Sequence, residues 1–446
     1  MKTDVTHPLV CGKIHMRIFE IIAMAFICCC YICAVDCYGE SQRELPEGIC
    51  IKQRDKTVPG QLQDGEQFNS AEYFDKVWQT IHEGFWDPNF NGVNWEDAGR
   101  RYRPRALGAK DHESFAEIIN QMLAELKTSH TYYYTKWDPD YYIIRVVFGK
   151  PESHRSGIGA VTKEIKGRSY VIAVLDSSPA EEAGIVAGDW LVKVDGRPFH
   201  PIRSFENKAG QELEMVIQRG STRAERQKLT VVPVDKKEAD WLGDDSHASL
   251  KTIEYQGHHF AYIRLWWLRG PRMLDVLNYG VSRANATEGI IIDLRDGVGG
   301  DFGYNFISPF LYYGLGETTV EVTGREETSK VTAGCNKPVV VLINGGSRSG
   351  KETLAYFFKK TGRGVLVGEC SAGYVVGGRK KVISSDSFLY YGAYKMLIDG
   401  RQLEGVGVEP DIEVPFDIRF TAGKDIQLER AKDEMIKLIE AAQALP

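Results

Sequence analysis

The sequence predicts an α/β fold, and three observations support this prediction. Short apolar runs typical of strands alternate with helical patterns from about residue 250 to the C-terminus. Residues 68–149 show helical periodicity instead, and residues 150–235 consist of short β-type runs separated by glycines. Together these patterns indicate an α/β core that is preceded by a helical region and a β-rich module.

The composition is that of an ordinary globular protein. The chain has 446 residues, of which 43% are hydrophobic and 26% are charged, enough for two or three domains. Its net charge of -6 gives no basic surface, so we expect no nucleic-acid partner. Cys50, Cys335 and Cys370 are too few and too scattered for a disulfide framework or a metal site.

The N-terminus differs from the rest of the chain. Arg17 is followed by a nearly unbroken apolar run that covers residues 21–35. This run has the length of a signal-peptide core and is short for a membrane span. We therefore predict a signal peptide or membrane anchor over 1–37, a linker over 38–67 and an exported protein, periplasmic, secreted or anchored in the cell envelope. The alternative is a cytosolic protein in which this run is a buried helix.

The predicted elements follow from local patterns. In the helical region, Phe74, Val77, Trp78, Ile81 and Phe85 form one apolar stripe, and a second amphipathic helix ends before "KTSHTYYY". Ser70 is the expected N-cap of the first helix.

In the β-rich module, a short helix over 179–183 should stop at Gly184, before a strand and an Asp-Gly turn. The strands of the core are "FAYIRLWWL", "GIIIDLR", "PVVVLI" and "GVLVG", and "ERAKDEMIKLIEAAQA" is a closing amphipathic helix.

The segment "NGGSRSGKET", residues 344–353, permits two interpretations. Residues 345–351 fit the G-x-x-x-x-G-K pattern of a phosphate loop. However, Glu352 stands where Ser or Thr should hold Mg²⁺, and the acidic strand end at Asp293 precedes the loop instead of following it. Nucleotide binding is therefore disfavoured.

The second interpretation is a strand-to-helix turn that presents Ser347 or Ser349. The free N–H groups and the positive dipole end of the following helix would lie beside the hydroxyl, ready to stabilise an oxyanion. From this stretch alone, Ser349 is equally explained as an N-cap, because Ser349 and Glu352 form a capping-box pattern.

A serine nucleophile needs a base and a group that orients the base. Of the ten histidines, His130 in "KTSHTY" is the best placed, although taken alone it is an ordinary polar loop residue. His258 and His259 precede a strand and are better explained as part of a turn.

Several ordered motifs now resemble one family. "GIIIDLRDGVGG", "VVVLINGGSRSGKE" and "GRGVLVGE", together with the segment that begins "GIGAVTKE", are similar to the C-terminal-processing (tail-specific) serine peptidases. Within them, the sequence resembles the branch of the tricorn protease core and the retinoid-binding-protein-like repeats. The resemblance covers roughly residues 68–415. The sequence departs from the family's D-x-R-x-N-G-G-G pattern at two positions. Gly297 stands where Asn is usual, and Val298 breaks the glycine run.

The resemblance implies a fold and its segmentation. We expect a ClpP/crotonase-like ββα core in the α/β serine peptidase domain over 236–446. An inserted PDZ domain over 150–235 and an N-terminal helical region over 68–149 should precede this domain.

The resemblance also implies catalytic residues. The bacterial and chloroplast enzymes use a Ser–Lys dyad, but the position 25 residues after the serine is Tyr374 here. The tricorn-like branch uses Ser, His and Glu, which correspond to Ser349, His130 and Glu404, with Glu404 acting directly or through Ser129.

Further site residues are expected from the same resemblance. The oxyanion donors would be the Gly350 N–H together with that of Gly299 or Gly300. A substrate carboxylate would bind the PDZ segment at Gly157, Ile158 and Gly159.

The sequence thus predicts a serine endopeptidase that acts on unfolded or C-terminal-tail-presenting proteins, without a metal or organic cofactor. Its partners would be protein or peptide substrates, with membrane attachment through the N-terminus as an option and no assigned oligomeric state. The main alternative is a catalytically inactive, PDZ-bearing peptide-binding protein, and another acyl hydrolase is a third. The sequence assigns no role to Lys351. Its side chain would either face solvent or lie near a substrate group.

Overall fold

The computed structural model describes residues 68–150, 152–301, 303–311, 316–322, 325–331 and 334–444. The predicted leader and linker, residues 1–67, lie outside this part of the chain. Within the described residues, no helix is both long and apolar enough to cross a bilayer.

The first elements form the helical region. They are α1 (Ser70–Gly84), α2 (Trp95–Leu107), α3 (His112–Ala124), β1 (Tyr132–Thr135) and α4 (Pro139–Val147). The predicted stripe on α1 is confirmed, since Phe74, Val77 and Ile81 are buried. The predicted cap is wrong by one residue: Asn69, not Ser70, accepts the Glu72 N–H at 3.2 Å. Asn69 has the extended backbone that an N-cap needs, whereas Ser70 is already helical.

The β-rich module follows. Its elements are β2 (His154–Gly157), β3 (Ala160–Ile165), β4 (Arg168–Val174), α5 (Pro179–Glu182), β5 (Trp190–Val194), β6 (Arg197–Pro198), β7 (Leu213–Gln218), β8 (Arg226–Val231) and β9 (Val234–Lys237). The main sheet has the antiparallel order β3-β4-β5-β7-β8, and β2 pairs with β9. Gly184 ends α5 with φ of 73°, and the Asp195-Gly196 turn has φ of 49° and 76°, as predicted.

The α/β core completes the chain. Its elements are α6 (Glu238–Ala248), β10 (Lys251–Tyr255), β11 (His258–Arg264), α7 (Gly270–Asn285), β12 (Ile290–Asp293), α8 (Tyr304–Leu311), β13 (Gly316–Val322), β14 (Arg325–Val331), β15 (Val339–Ile343), α9 (Gly350–Thr361), β16 (Val365–Gly368), β17 (Gly377–Ser384), β18 (Ser387–Tyr394), β19 (Ile412–Glu413) and α10 (Ile426–Gln443). The main sheet has the order β10-β11-β12-β15-β16-β19 and is parallel from β11 onwards. Its central strands β12 and β15 are buried throughout, which explains their unbroken Ile and Val runs.

One sequence expectation for this core needs correction. His258 and His259 do not precede the strand but begin β11, where they pair with Tyr255 and Glu254 of β10. The glycine turn that the sequence places at this point lies just before them, with Gly257 at φ of 84°.

The hairpin β17–β18 joins the core to the helical region. β1 pairs antiparallel with β18, with Tyr132 opposite Tyr390. Ile383 and Leu389 of the hairpin share one hydrophobic cluster with Phe74 of α1. Because the loop before β1 carries His130, this pairing fixes that loop against the α/β core.

A buried ion network ties the closing helix to the central sheet. Arg295 follows β12, and its guanidinium binds the Asp293 carboxylate at 2.7 and 2.9 Å and the Asp425 carboxylate at 2.7 and 2.9 Å. Burial alone would raise the pKa of Asp293, but the charges of Arg295 and Arg264 outweigh it and hold that pKa far below its usual range. Asp425 also caps α10 by accepting the Leu428 N–H at 2.9 Å.

We expect Arg295→Met to destabilise the α/β core by about 3–5 kcal/mol, because it leaves the fully buried Asp293 carboxylate without its cation. The free energy of unfolding in urea measures this loss. The matched control is Lys437→Met on α10, which removes an exposed ion pair with Glu434 and should change the free energy by less than about 1 kcal/mol. Equal effects of the two substitutions would contradict the network's role.

Candidate active site

The turn between β15 and α9 holds Ser349 in an unusual backbone conformation. Ser349 has φ of 60° and ψ of -127°, which a residue with a side chain adopts only under constraint. Its N–H is shared between the Tyr374 carbonyl at 2.9 Å and the Glu352 carboxylate at 3.0 Å. The turn therefore presents the Ser349 side chain directly before the helix N-terminus, in the geometry of a nucleophile elbow.

The Glu352 carboxylate constrains this turn. It is fully buried and accepts hydrogen bonds from the Ser371 hydroxyl at 2.6 Å, the Gly373 N–H at 2.6 Å and the Tyr374 N–H at 2.7 Å. Burial raises its pKa, and these donors oppose that rise. Glu352 thus makes the return bond of the predicted capping box and also anchors the loop over residues 371–374.

The neighbouring serine is occupied by structural bonds. Ser347 is fully buried, and its hydroxyl donates to the Leu294 carbonyl at 2.9 Å and accepts from the Asn344 N–H at 3.1 Å. Of the two candidate serines, only Ser349 is partly exposed.

His130, Ser129 and Glu404 form one hydrogen-bonded chain. The Ser129 hydroxyl lies 2.8 Å from His130 Nδ1 and donates to Glu404 Oε2 at 2.8 Å. Because its single proton points to the carboxylate, the Ser129 hydroxyl oxygen accepts a hydrogen bond from His130 Nδ1–H. This assignment leaves His130 Nε2 unprotonated and able to act as a base.

The Glu404 carboxylate is held by further donors from both halves of the structure. It accepts the Ser129 N–H at 2.7 Å and the Thr128 hydroxyl at 3.3 Å. On the other side, it accepts the Val375 N–H at 2.8 Å and the Val376 N–H at 3.1 Å. Glu404 is therefore a junction between the loop of His130 and the loop that follows β16.

His130 itself is constrained and electrostatically tuned. Its φ is 52°, and its ring lies 5.2 Å from the ring of Tyr390 on β18. Burial lowers the pKa of His130 to about 4, with a further contribution from the charge of Arg348. The imidazole is therefore neutral at physiological pH.

Ser349 and His130 are brought into one site through shared neighbours. The described hydrogen bonds include none directly between the two side chains. Tyr374 accepts the Ser349 N–H, and the next residue, Val375, donates to Glu404. Arg348, adjacent to Ser349, is close enough to act on the pKa of His130.

The glycines predicted as oxyanion donors lie against Ser349 and Gly350. A methyl group on Gly299 would come within 2.1 Å of the Gly350 nitrogen and 2.8 Å of Ser349 Cβ. The N–H groups of Gly299, Gly300 and Gly350 donate to no acceptor within the described residues. These three donors are therefore available beside Ser349.

The structure explains the two departures in the glycine loop. Gly297 has φ of 71°, and a methyl group there would lie 2.2 Å from the Trp266 carbonyl oxygen. An Asn does not fit this backbone. Val298 is buried, and its N–H donates to the same carbonyl at 3.0 Å, so the loop is ordered at this point.

Sequence reasoning missed several residues of this site. Thr128 adjoins "SH", so its position could have suggested it. The backbone donors at Val375 and Val376 and the ring of Tyr390 leave no sequence signal, because they come from a loop and a hairpin far along the chain. Lys351 is the reverse case: it is fully buried, which excludes the solvent-facing option.

The predicted PDZ residues form a buried turn at the start of β3. The carbonyls of Ile158 and Gly159 accept the Ala180 and Leu175 N–H groups at 2.8 and 2.9 Å. The N–H groups of Ile158 and Gly159 have no acceptor within the described part of the chain. Gly157, just before them, closes β2 opposite Val234.

Metal binding finds no support in this site. Among the described residues, no group of three or more His, Cys, Asp or Glu side chains is placed to hold a metal ion. The buried carboxylates of Asp293 and Glu352 are instead bound by protein donors.

Three family descriptions match consecutive parts of the chain. The Tricorn protease C1 domain matches residues 69–124, the PDZ domain matches residues 170–219, and Peptidase family S41 matches residues 259–414. The predicted α/β fold with an inserted PDZ domain is confirmed.

Individual relatives match most of the chain. Tricorn protease homolog 1 of Streptomyces coelicolor is 24% identical over 386 residues, which cover 83% of this chain and 35% of the relative. The chain thus spans about a third of that protein. A carboxyl-terminal-processing protease of Synechocystis is 26% identical over 313 residues, 66% of this chain and 69% of the relative.

A solved structure shows the same fold. The crystal structure of a CPAF mutant superimposes with a TM-score of 0.50 at 12% identity, covering 83% of this chain and 98% of the other. Peptidase family S41 thus matches the α/β core, after the Tricorn protease C1 and PDZ matches.

Proposed function

We propose that the protein is a serine endopeptidase that hydrolyses peptide bonds through an acyl-enzyme, with Ser349 as its nucleophile. The observation that carries this proposal is the hydrogen-bonded chain from His130 through Ser129 to Glu404, next to a constrained Ser349. A base, an orienting group and a nucleophile are the parts that acyl transfer from serine requires.

The chemistry begins with proton transfer. His130 Nε2 removes the proton of the Ser349 hydroxyl as the oxygen attacks the substrate carbonyl carbon. The Nδ1–H of the resulting imidazolium donates to the Ser129 hydroxyl oxygen, and the Ser129 hydroxyl donates to the negative carboxylate of Glu404. His130 then passes the proton to the leaving amine, and water completes the cycle by the same route.

The developing oxyanion would lie among the free N–H groups beside Ser349. The Gly350 N–H stands at the positive end of α9, and Gly299 or Gly300 supplies the second donor. Removal of one such donor typically lowers kcat by about 10²–10³-fold.

The PDZ domain would select substrates by their C-termini. β3 forms one edge of its sheet, so an extended peptide can add as another strand. The free N–H groups of Ile158 and Gly159 stand at the start of that strand, where a terminal carboxylate would bind. Unfolded or tail-presenting proteins are therefore the proposed substrates, in line with the name of the Synechocystis relative.

Export of the protein is part of the same proposal. So are the domain boundaries, with the helical region over 68–149, the PDZ domain over 150–235 and the peptidase domain over 236–446. The apolar run over residues 21–35 supports a cleaved signal peptide, and a retained membrane anchor is the alternative. The proposed chemistry requires no cofactor and does not depend on a particular oligomeric state.

The inactive peptide-binding alternative is disfavoured by the site itself. A protein that only binds peptides has no need for Ser349 at φ of 60° and ψ of -127°. This conformation costs free energy, which is typical of a retained functional site.

We expect a fluorophosphonate probe to modify the wild-type protein at Ser349, and Ser349→Ala to abolish both labelling and hydrolysis of an unfolded protein such as casein. Peptide mapping by mass spectrometry identifies the modified residue. Ser347→Ala is the matched control and should still be labelled, because its hydroxyl is bound to Leu294. A well-folded wild-type protein that resists the probe would favour the inactive alternative.

The low pKa of His130 predicts an unusual pH profile. Since the pKa lies at about 4, the imidazole is already deprotonated above that pH, and kcat/KM should fall only as the pH drops through about 4. The rate of fluorophosphonate labelling, followed from about pH 3 to about pH 8, measures this loss of activity at acidic pH.

The control for this profile is His130→Ala, which should leave a slow labelling rate without the acid limb. A limb near the ordinary histidine value of about 6.5 in the wild-type protein would show that the site does not desolvate the ring.

We expect amidation of a peptide's C-terminus to weaken its binding to the PDZ domain by about tenfold or more, because a carboxylate bound by N–H groups is lost. Fluorescence anisotropy with matched free-acid and amide peptides on the Ser349→Ala protein measures the difference. Equal affinity for both peptides would refute carboxylate capture.

A further inference from the structure

Two cations flank the proposed nucleophile, and the chemistry described above uses neither. Arg348 precedes Ser349, and Lys351 follows it by two residues on the first turn of α9. Lysine in the first turn of a helix is unfavourable, because the positive end of the helix dipole repels it. Its position therefore needs a specific reason.

Lys351 is directed into the protein at the glycine loop. Its side chain is 0% exposed, and Nζ donates to the Asp296 carbonyl at 2.5 Å. A methyl group on Gly297 would lie 3.0 Å from this nitrogen. Burial, reinforced by the charge of Arg264, lowers the pKa of Lys351 to about 7, so the protein keeps the amine there at a cost.

Arg348 forms a hydrogen bond to the next carbonyl of the same loop. Its Nε donates to the Gly297 carbonyl at 2.8 Å, and its Nη2 lies 2.9 Å from the Asp140 carboxylate of α4. The ion pair holds the guanidinium in place, so the Gly297 carbonyl meets a fixed donor.

These contacts lock the loop over residues 296–301 to the nucleophile segment. Two successive carbonyls bind cations from residues 348 and 351, and the Val298 N–H binds the Trp266 carbonyl at 3.0 Å. The next two peptide N–H groups are those of Gly299 and Gly300. The Gly300 N–H shares a rigid peptide plane with the Gly299 carbonyl, which accepts the Leu268 N–H at 2.8 Å. The Gly299 N–H therefore lies between this anchored plane and the carbonyls held by residues 348 and 351.

We propose that Lys351 and Arg348 are positioning residues, which hold the loop over residues 296–301 in register with Ser349 and so aim its N–H groups at the oxyanion. This inference rests on the proposed peptidase function. The loop has no side chain of its own at Gly297 to order it, and the nucleophile segment supplies the missing donors.

The test is to compare Lys351→Met with the wild-type protein on a peptide substrate chosen from a casein digest. We expect kcat to fall by about 10–100-fold with KM changed by less than about threefold, because misaimed donors weaken the transition state selectively. A peptide aldehyde, which forms a tetrahedral adduct with the serine, should lose affinity in parallel with kcat. The matching product acid should bind as before.

A purely structural role would not give this split between the aldehyde and the product acid. Arg348→Gln provides a second variant at a partly exposed position, and it should show the same split if Lys351→Met fails to fold. Lys359→Met is the matched control, because Lys359 also lies on α9 and donates to a backbone carbonyl, that of Glu409 at 2.7 Å, at the surface.

Two outcomes would overturn the proposal for a folded variant: kcat equal to the wild-type value, or equal losses of affinity for aldehyde and product acid. The proposed function fails separately, since wild-type protein without Ser349-dependent hydrolysis would refute the peptidase itself.

Discussion

The carboxylate of Glu404 is the interaction on which the site depends. It receives donors from Thr128 and Ser129 in the loop before β1, and from Val375 and Val376 in the loop after the nucleophile. Hydrogen bonds to an ionised carboxylate are stronger than those between neutral groups, and several of them on one acceptor set the relative position of their donors. One side chain therefore joins two loops that are more than 240 residues apart in the chain.

The fold supports this junction from outside the site. β1 extends from the loop of His130 and pairs with β18, so the helical region and the α/β core share a sheet and a hydrophobic cluster. The ion network of Arg295 links α10 to the central strands, and Arg295 directly precedes the glycine loop in the chain. Rigid neighbours on both sides allow Ser349 and His130 to keep positive φ angles that an isolated loop would relax.

The glycine loop and the nucleophile segment form a second junction, in which backbone groups meet side chains. Gly299 and Gly350 approach too closely for any side chain, whereas Arg348 and Lys351 reach across to loop carbonyls. The departure at Gly297 from the family pattern is thus part of a consistent local solution. Gly297 has no side chain that could order the loop at that position, and Arg348 and Lys351 bind the loop carbonyls there.

The sequence by itself determined the elements and the chemical candidates. Unbroken Ile and Val runs specify buried parallel strands, and Ser349 after such a strand, with Glu352 three residues on, specifies a helix start. Local context favoured His130 among the histidines, and the family resemblance added Glu404. Tertiary structure decided that Ser129 stands between these two residues, and that Lys351 is buried and not solvated. Neither result follows from local patterns, because each depends on a loop that folds back from a distant part of the chain to supply the hydrogen-bonding partners.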